Sequence, residues 1–333
     1  MNQGGDRVES LTVQPPGQPK TVEIPSRRFG RYVLRSRLGS GGMAEVFLAE
    51  AKDEKGAPFK VALKLMRKDV TAESFADEAD LMGLLEHPNL VHRLEIGEAF
   101  GRYFIAMEFL VGGDLDGMLR AHERQGQRIP LAAGVHVCIE VLRALAYFHQ
   151  ARTRTGRPLE LVHGDVNPAN IFFSGQCEVK LGDFGVAKAR GLDLGPEEGV
   201  TAGKLHYLSP EQTRGDSVTL ASDLFSMGIV LHELVLGFHP FERGSDDPDV
   251  VMAAIRSAKL NLPDTLDKRL AAVMRKALAP DVNQRYRTAG EFAGALLTWA
   301  LDTGQPFSPR EIQAGLQQAL SLALWEREKG HPR

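Results

Sequence analysis

The stretch Val162-His163-Gly164-Asp165-Val166-Asn167-Pro168-Ala169-Asn170, followed by Gly182-Asp183-Phe184-Gly185, sets two carboxylates and an amide on neighbouring loops. One carboxylate can orient an attacking hydroxyl, while a second carboxylate and an amide oxygen can hold Mg²⁺ across a polyphosphate. Asp165 suits the first role, and Asn170 with Asp183 the second. Upstream, Lys64 closes the apolar run Val61-Ala62-Leu63-Lys64. A buried ammonium is costly unless anions surround it. Glu78 is one candidate partner and a phosphate the other; the alternative is a lysine whose stem carries its charge out to water. Singly, each of these is an ordinary turn or strand-end residue. In this order and together they point to transfer of a phosphoryl group.

A glycine cluster precedes them. Leu38-Gly39-Ser40-Gly41-Gly42-Met43-Ala44-Glu45-Val46-Phe47 places three glycines in a turn between two strands. Glycine lets backbone N–H groups come close to phosphate oxygens. On its own the cluster reads equally well as a hairpin.

The elements that must position these groups divide the chain. Alternation predicts strands at Tyr32–Leu38, Glu45–Ala51, Pro58–Met66, His92–Glu98 and Arg102–Phe109. Phe75, Ala79, Met82 and Leu85 recur at helical spacing and predict a helix over 72–85. Beyond Gly112-Gly113-Asp114 the pattern turns helical, with helices expected at 114–122, 131–152, 220–237, 248–256, 267–277 and 289–300. A last helix over 309–328 has Ser308 as cap and Pro309 at its first position, with Ile312, Leu316, Leu320, Ala323 and Leu324 along one side. Residues 1–28 are rich in Gln, Pro and Gly without periodicity and predict a disordered leader. The expected class is α+β and bilobal: a β-rich lobe over 29–110, a helical lobe over 111–300, and a helical extension over 301–333.

Bulk properties narrow the function classes. Apolar content of 43% and charged content of 25% are those of a folded domain, and a net charge of −3 gives no reason to expect nucleic-acid or anionic-membrane binding. Cys138 and Cys177 form no disulfide framework or metal cluster, which suits a reducing cytoplasm. No signal peptide is expected at the start. Apolar runs such as Ser226–Phe238 fall short of the ~20 residues of a membrane helix.

Taken together, the glycine loop, V-A-x-K, a helix glutamate, H-x-D-x-x-x-x-N, D-F-G and Pro210-Glu211 resemble the protein-kinase signature. The likeness is to bacterial serine/threonine kinases of the eukaryotic-like family. His87-Pro88-Asn89, Ser209-Pro210-Glu211-Gln212, Asp223-Leu224-Phe225-Ser226-Met227-Gly228 and His239-Pro240-Phe241 support it over roughly residues 30–300.

That resemblance implies ATP and Mg²⁺ (or Mn²⁺) as cofactors, with protein substrates. It implies that Lys64 meets the α- and β-phosphates and is held by Glu78. Leu38, Gly39, Ser40, Gly41 and Gly42 would cover the phosphates. Val46, Ala62 and Phe172 would sandwich the adenine, Met107 would gate the back of the pocket, and Glu108–Leu110 would form the hinge. Met82, Phe184, His163 and Leu94 would form a column joining the lobes. Glu211 would pair with Arg285, and Asp223 would brace the loop carrying Asp165.

Three positions depart from the family pattern. Ala44 replaces the third glycine of the phosphate loop. Gly164 replaces the arginine that usually receives an activation-loop phosphate, which implies activity independent of phosphorylation at Thr201. Asn167 stands where lysine is usual, and Lys204 where threonine is usual; these positions lie close in the family, so Lys204 is expected to return the missing ammonium from the other side. Two rivals stay open at this point. A pseudokinase scaffold would explain Gly164 and Asn167, and His163-Gly164-Asp165 with Asn170 also resembles aminoglycoside and choline kinase relatives.

Overall fold

Apolar alternation along the first half of the chain builds a curled antiparallel sheet. The computed structural model describes residues 22–40, 44–68, 70–71, 75, 83–153, 155–183, 205–241, 247–303 and 307–329. Six strands, β1 (Val22–Phe29), β2 (Tyr32–Ser40), β3 (Ala44–Lys52), β4 (Pro58–Met66), β5 (Arg93–Ala99) and β6 (Arg102–Glu108), stand in the order β1-β2-β3-β4-β6-β5. In β4, Val61, Leu63 and Leu65 are buried against Tyr32, Leu34, Phe47 and Phe104. The two-residue period therefore turns Ala62 and Lys64 to the opposite face, towards the rest of the protein.

One expectation fails here. Residues 22–28, read as part of a disordered leader, form β1, which pairs with β2 through Phe29↔Tyr32 and Arg28↔Val33. Pro25, Arg27 and Arg28 break the apolar alternation. They are tolerated because β1 lies at the sheet edge, where a missing N–H and charged side chains cost little. Residues 1–21 lie outside the described part, as does most of the helix expected over 72–85. Of that helix, Phe75 is buried and stacks on Tyr103 at 4.5 Å between ring centroids.

The chain leaves β6 through Phe109–Gly112 and enters a helical lobe. Its helices are α1 (Leu115–Arg124), α2 (Leu131–His149), α3 (Pro210–Arg214), α4 (Leu220–Leu236), α5 (Pro248–Ser257), α6 (Lys268–Ala277), α7 (Ala289–Asp302) and α8 (Pro309–Glu328). A second small sheet, β7 (Gly113–Asp114), β8 (Ile171–Phe173) and β9 (Val179–Leu181), lies against α2 beneath the first. Ends are set by local chemistry: Asp114 accepts from Gly117 N at the start of α1, and Gly237 takes φ 78° to stop α4. The expected 131–152 helix stops at His149, because Arg152 bridges to Pro158 across a loop.

Helix α2 is long and apolar enough to cross a membrane, contrary to the reading that every apolar run is too short. Within the fold it is the central helix of the larger lobe, with Val137, Cys138, Val141, Leu142 and Leu145 buried among α4, α7 and β9. Helix α8 lies along α1 and α2, with Leu316, Ala319, Leu320 and Ala323 buried.

Candidate active site

A cavity of about 280 Å³ separates the lobes. Its roof comes from the strands: Leu38, Gly39, Val46, Ala62 and Lys64. Its back wall is Met107–Leu110, and its floor includes Phe172, Asn170 and Asp183. Sheet pairing explains this neighbourhood. Ala62 lies opposite Met107, and Lys64 opposite both Val46 and Ile105. A flat apolar slot with charged groups at one end suits a planar ring joined to an anion.

At that charged end, Lys64 Nζ stands 3.6 Å from Asp183 Oδ1, with the lysine side chain only 14% exposed. One anionic neighbour of this largely buried ammonium is thus a carboxylate of the opposite lobe. Asp183 has φ 60°, a left-handed conformation that aspartate tolerates better than most side chains. Such outliers cluster where a functional group must be aimed.

Asp165 is held from two sides. Asn167 Nδ2 donates to its Oδ1 at 2.7 Å, and Asn170 Nδ2 donates to its Oδ2 at 3.1 Å. Both amides also donate to the Asp165 carbonyl, at 3.0 and 2.8 Å. Asn167 Oδ1 meanwhile accepts from Ala169 N at 2.9 Å and caps the 3₁₀ turn Pro168–Asn170. The amide of Asn170 therefore turns its nitrogen to Asp165, which leaves an oxygen donor of the kind Mg²⁺ takes. With the Asp183 carboxylate on the same cavity, the donor set fits a hard divalent cation.

The loop hangs from the helices below. Asp223, in the first turn of α4, accepts from His163 N at 2.9 Å and Gly164 N at 2.8 Å. It also contacts His149 Nε2 at 2.8 Å. Gln212 Nε2 donates to the Gly164 carbonyl at 2.9 Å. Gly164 has φ 74°, where a side chain would be strained, so glycine suits the position. Deeper still, Arg285 makes a bidentate pair with Glu211 at 2.7 and 2.8 Å. Burial pushes the Glu211 carboxyl up, but Arg285 and the Ser222 hydroxyl outweigh it and hold the group below its usual range.

The outer end of the cavity carries Asp114, Asp116 and Arg120. Burial raises Asp116 above the usual carboxylate range; its ion pair with Arg120 opposes that, and the charge of Asp114 adds to it. At the hinge, Glu108 Oε1 accepts from His92 N at 2.7 Å and pairs with Lys180 at 2.9 Å. Since Lys180 belongs to β9, this pair ties the two lobes together at the back of the cleft.

Of the residues singled out in the sequence, Leu38, Gly39, Val46, Ala62, Lys64, Met107, Glu108, Leu110, Asn170, Phe172 and Asp183 line the cavity. Asp165 and Asn167 adjoin it through Asn170. Ser40 closes β2 and is not on the cavity wall. Gly41, Gly42, Glu78, Met82, Phe184, Thr201 and Lys204 lie outside the described residues. Leu94 is a correction. It sits at the register shift between Arg93 and Glu95 and is 45% exposed, so it joins no interlobe column. Sequence reading missed His149, Asp116, Arg120 and Lys180, and it named Gln212 within a motif without its hold on the Gly164 carbonyl. The partners of His149, Gln212 and Lys180 are distant in sequence; Asp116 and Arg120 pair with each other one helical turn apart, an ordinary surface pattern that does not mark the turn as facing the cavity. Gln212 also carried a local signal, the capping box it forms with Ser209.

A two-lobed fold with a nucleotide-sized cleft and this charged end defines a phosphotransferase class. The pattern of the protein kinase domain matches residues 32–293, and the chain belongs to that family. It is 38% identical to the tyrosine-protein kinase MasK of Myxococcus xanthus, over 81% of this chain and 43% of the relative. It is 32% identical to the serine/threonine-protein kinase PrkC of Bacillus subtilis, over 83% of this chain and 41% of the relative. With the serine/threonine-protein kinase PknJ of Mycobacterium tuberculosis it shares 33% identity, over 84% of this chain and 48% of the relative. The chain thus spans less than half the length of these relatives.

Proposed function

We propose that the protein transfers the γ-phosphoryl group of ATP to serine or threonine hydroxyls of protein substrates in bacterial signalling. The observation that carries this reading is the single cleft in which Lys64, Asn170 and Asp183 face one cavity while Asp165, tethered to Asn170, stands beside it. Mg²⁺ (or Mn²⁺), when bound, would neutralise phosphate charge, with Asn170 and Asp183 as its holders. Lys64 positions the α- and β-phosphates, assisted by Glu78. Asp165, fixed by two amides, orients the acceptor hydroxyl and takes its proton as the bond to the γ-phosphorus forms, while the bond from that phosphorus to the β–γ bridging oxygen breaks and ADP leaves. Asn167 acts here as an orienting group, and Lys204 is assigned the positive charge beside the transferring group.

The departures at Gly164 and Asn167 do not favour a scaffold. The cleft keeps a largely buried lysine, paired with the more exposed carboxylate of Asp183, that a non-catalytic fold would gain little by retaining. A site in the cytoplasm follows from the use of ATP and is supported by two buried free thiols, Cys138 and Cys177.

The test is incubation with labelled ATP, Mg²⁺ and a bacterial lysate, followed by acid hydrolysis of the labelled proteins. Phosphoserine and phosphothreonine are expected, lost in Asp165→Asn although nucleotide still binds. Phosphotyrosine as the main product would move the acceptor to the class named for MasK, and turnover that survives Asp165→Asn would overturn the mechanism.

A further inference from the structure

Helix α8 lies beyond the matched domain, which ends at residue 293. It covers the outer side of the strip that lines the nucleotide cavity. Arg327 Nη1 donates to the Val111 carbonyl at 3.3 Å, directly after the hinge. Gly112 is wedged between β8 and this helix: a Cβ there would stand 2.6 Å from the Phe173 carbonyl and 3.0 Å from Leu320 Cδ1. At the far end of α1, Arg124 Nε and Gln125 Nε2 donate to Glu326 at 3.1 and 2.7 Å. Glu326 is 2% exposed and takes no part in phosphoryl transfer.

The same α1 presents Asp116 and Arg120 to the cavity. A single helix is therefore held by α8 on one side and lines the cavity on the other. Gly315 fits closely over Ala133 and Pro130, at 3.2 and 3.3 Å for an added Cβ, and fixes α8 to the start of α2. The helix cannot shift without moving Gly112 or releasing a buried carboxylate.

We propose that α8 is a positioning element for the nucleotide, acting through Val111–Gly112 and α1, with Glu326, Leu320 and Arg327 as its contacts. The inference rests on the kinase reading above. Loss of these contacts loosens the outer wall of the pocket while Asp165, hung from α4, stays in place. Nucleotide affinity then falls and turnover at saturation does not.

The experiment compares Glu326→Ala, Leu320→Ala and Arg327→Ala in the full chain with Leu296→Ala. Leu296 is a fully buried residue of α7, so its truncation lowers stability away from the hinge. Dissociation constants for a fluorescent ATP analogue, KM for ATP, kcat and Tm are measured for each. Glu326→Ala and Leu320→Ala should raise Kd and KM about fivefold, with kcat nearly unchanged. Arg327→Ala, a surface change that keeps the fold, should move them less and in the same direction. Leu296→Ala should lower Tm and leave KM alone. Wild-type affinity in all three α8 variants, or an equal rise in KM for Leu296→Ala, overturns the proposal. Failure of the wild-type chain itself to bind the analogue would instead overturn the kinase reading on which it rests.

Discussion

The side-chain amide of Asn167 donates to Oδ1 of Asp165 at 2.7 Å while its own carbonyl oxygen caps the next turn. An asparagine can make both contacts at once; an alanine makes neither. Asn167→Ala should lower kcat by about 10- to 100-fold, with KM for ATP little changed, since a misaimed orienting group slows only the chemical step. Steady-state kinetics of the purified variant check this. Unchanged kcat would leave Asn167 with the cap alone, worth about 1 kcal/mol of stability.

The proposed mechanism assigns to Lys204 the positive charge beside the transferring group that lysine at position 167 would otherwise supply. Lys204→Met should reduce kcat by ~10²-fold or more, as removal of a preorganised charge-stabilising group does elsewhere. Near-normal turnover in this variant would end the charge swap between positions 167 and 204.

Gly164 takes a left-handed backbone with its carbonyl tied to Gln212. Treatment with phosphatase should leave activity intact, because no guanidinium stands at this position to receive a loop phosphate. Gly164→Arg should cost about 1 kcal/mol or more through strain and should not raise activity. Denaturant titration beside a kinase assay separates the two effects.

The Glu211–Arg285 pair is buried within the larger lobe and anchors it. Glu211→Ala leaves a guanidinium buried without its carboxylate and should destabilise by about 3–5 kcal/mol. Its pH dependence has a definite sign. Because the folded carboxyl lies below its ordinary value, the pair contributes fully at neutral pH and fades as pH falls through the folded value. Acid unfolding of the wild-type chain, absent as a separate component in Glu211→Ala, is the readout.

His239 should add a second acid-sensitive contribution. Burial, then the neighbouring His206, lowers it to about 3 from 6.5, while its bond to the His206 carbonyl opposes the shift and His232 adds to it. Between those values the unfolded chain holds a proton that the folded chain refuses. Stability should fall as pH drops from 6.5, by at most about 1.4 kcal/mol per pH unit, and His239→Gln should flatten that slope.

Long periodic elements were legible in the residues themselves. Strand Pro58–Met66 and helix Pro309–Glu328 match the sequence reading residue for residue, because alternation and a Ser-Pro start leave little choice. β1 was not legible: an edge strand does not need the apolar pattern on which such readings depend. The line of Lys64, Asn170 and Asp183 along one cavity could be inferred from motif order. Lys180 could not, since its ion pair with Glu108 joins residues far apart in sequence and leaves no local trace; Asp116 and Arg120 pair one helical turn apart, which reads as a solvated helix face and not as a cavity wall. The direction of the Asn167 amide was equally hidden. Residue type announced a departure there, and only geometry showed that it points inward to Asp165.

One carboxylate, Asp223, holds the backbone of His163 and Gly164 together with the ring of His149. Asp165, the orienting group of the proposed mechanism, is thereby fastened to the floor of the molecule, whereas the strands above carry Lys64, the residue proposed to grip the donor. Opening of the cleft would consequently draw donor and acceptor apart as two separately mounted parts. A partner that merely wedges the lobes could silence transfer without deforming either half.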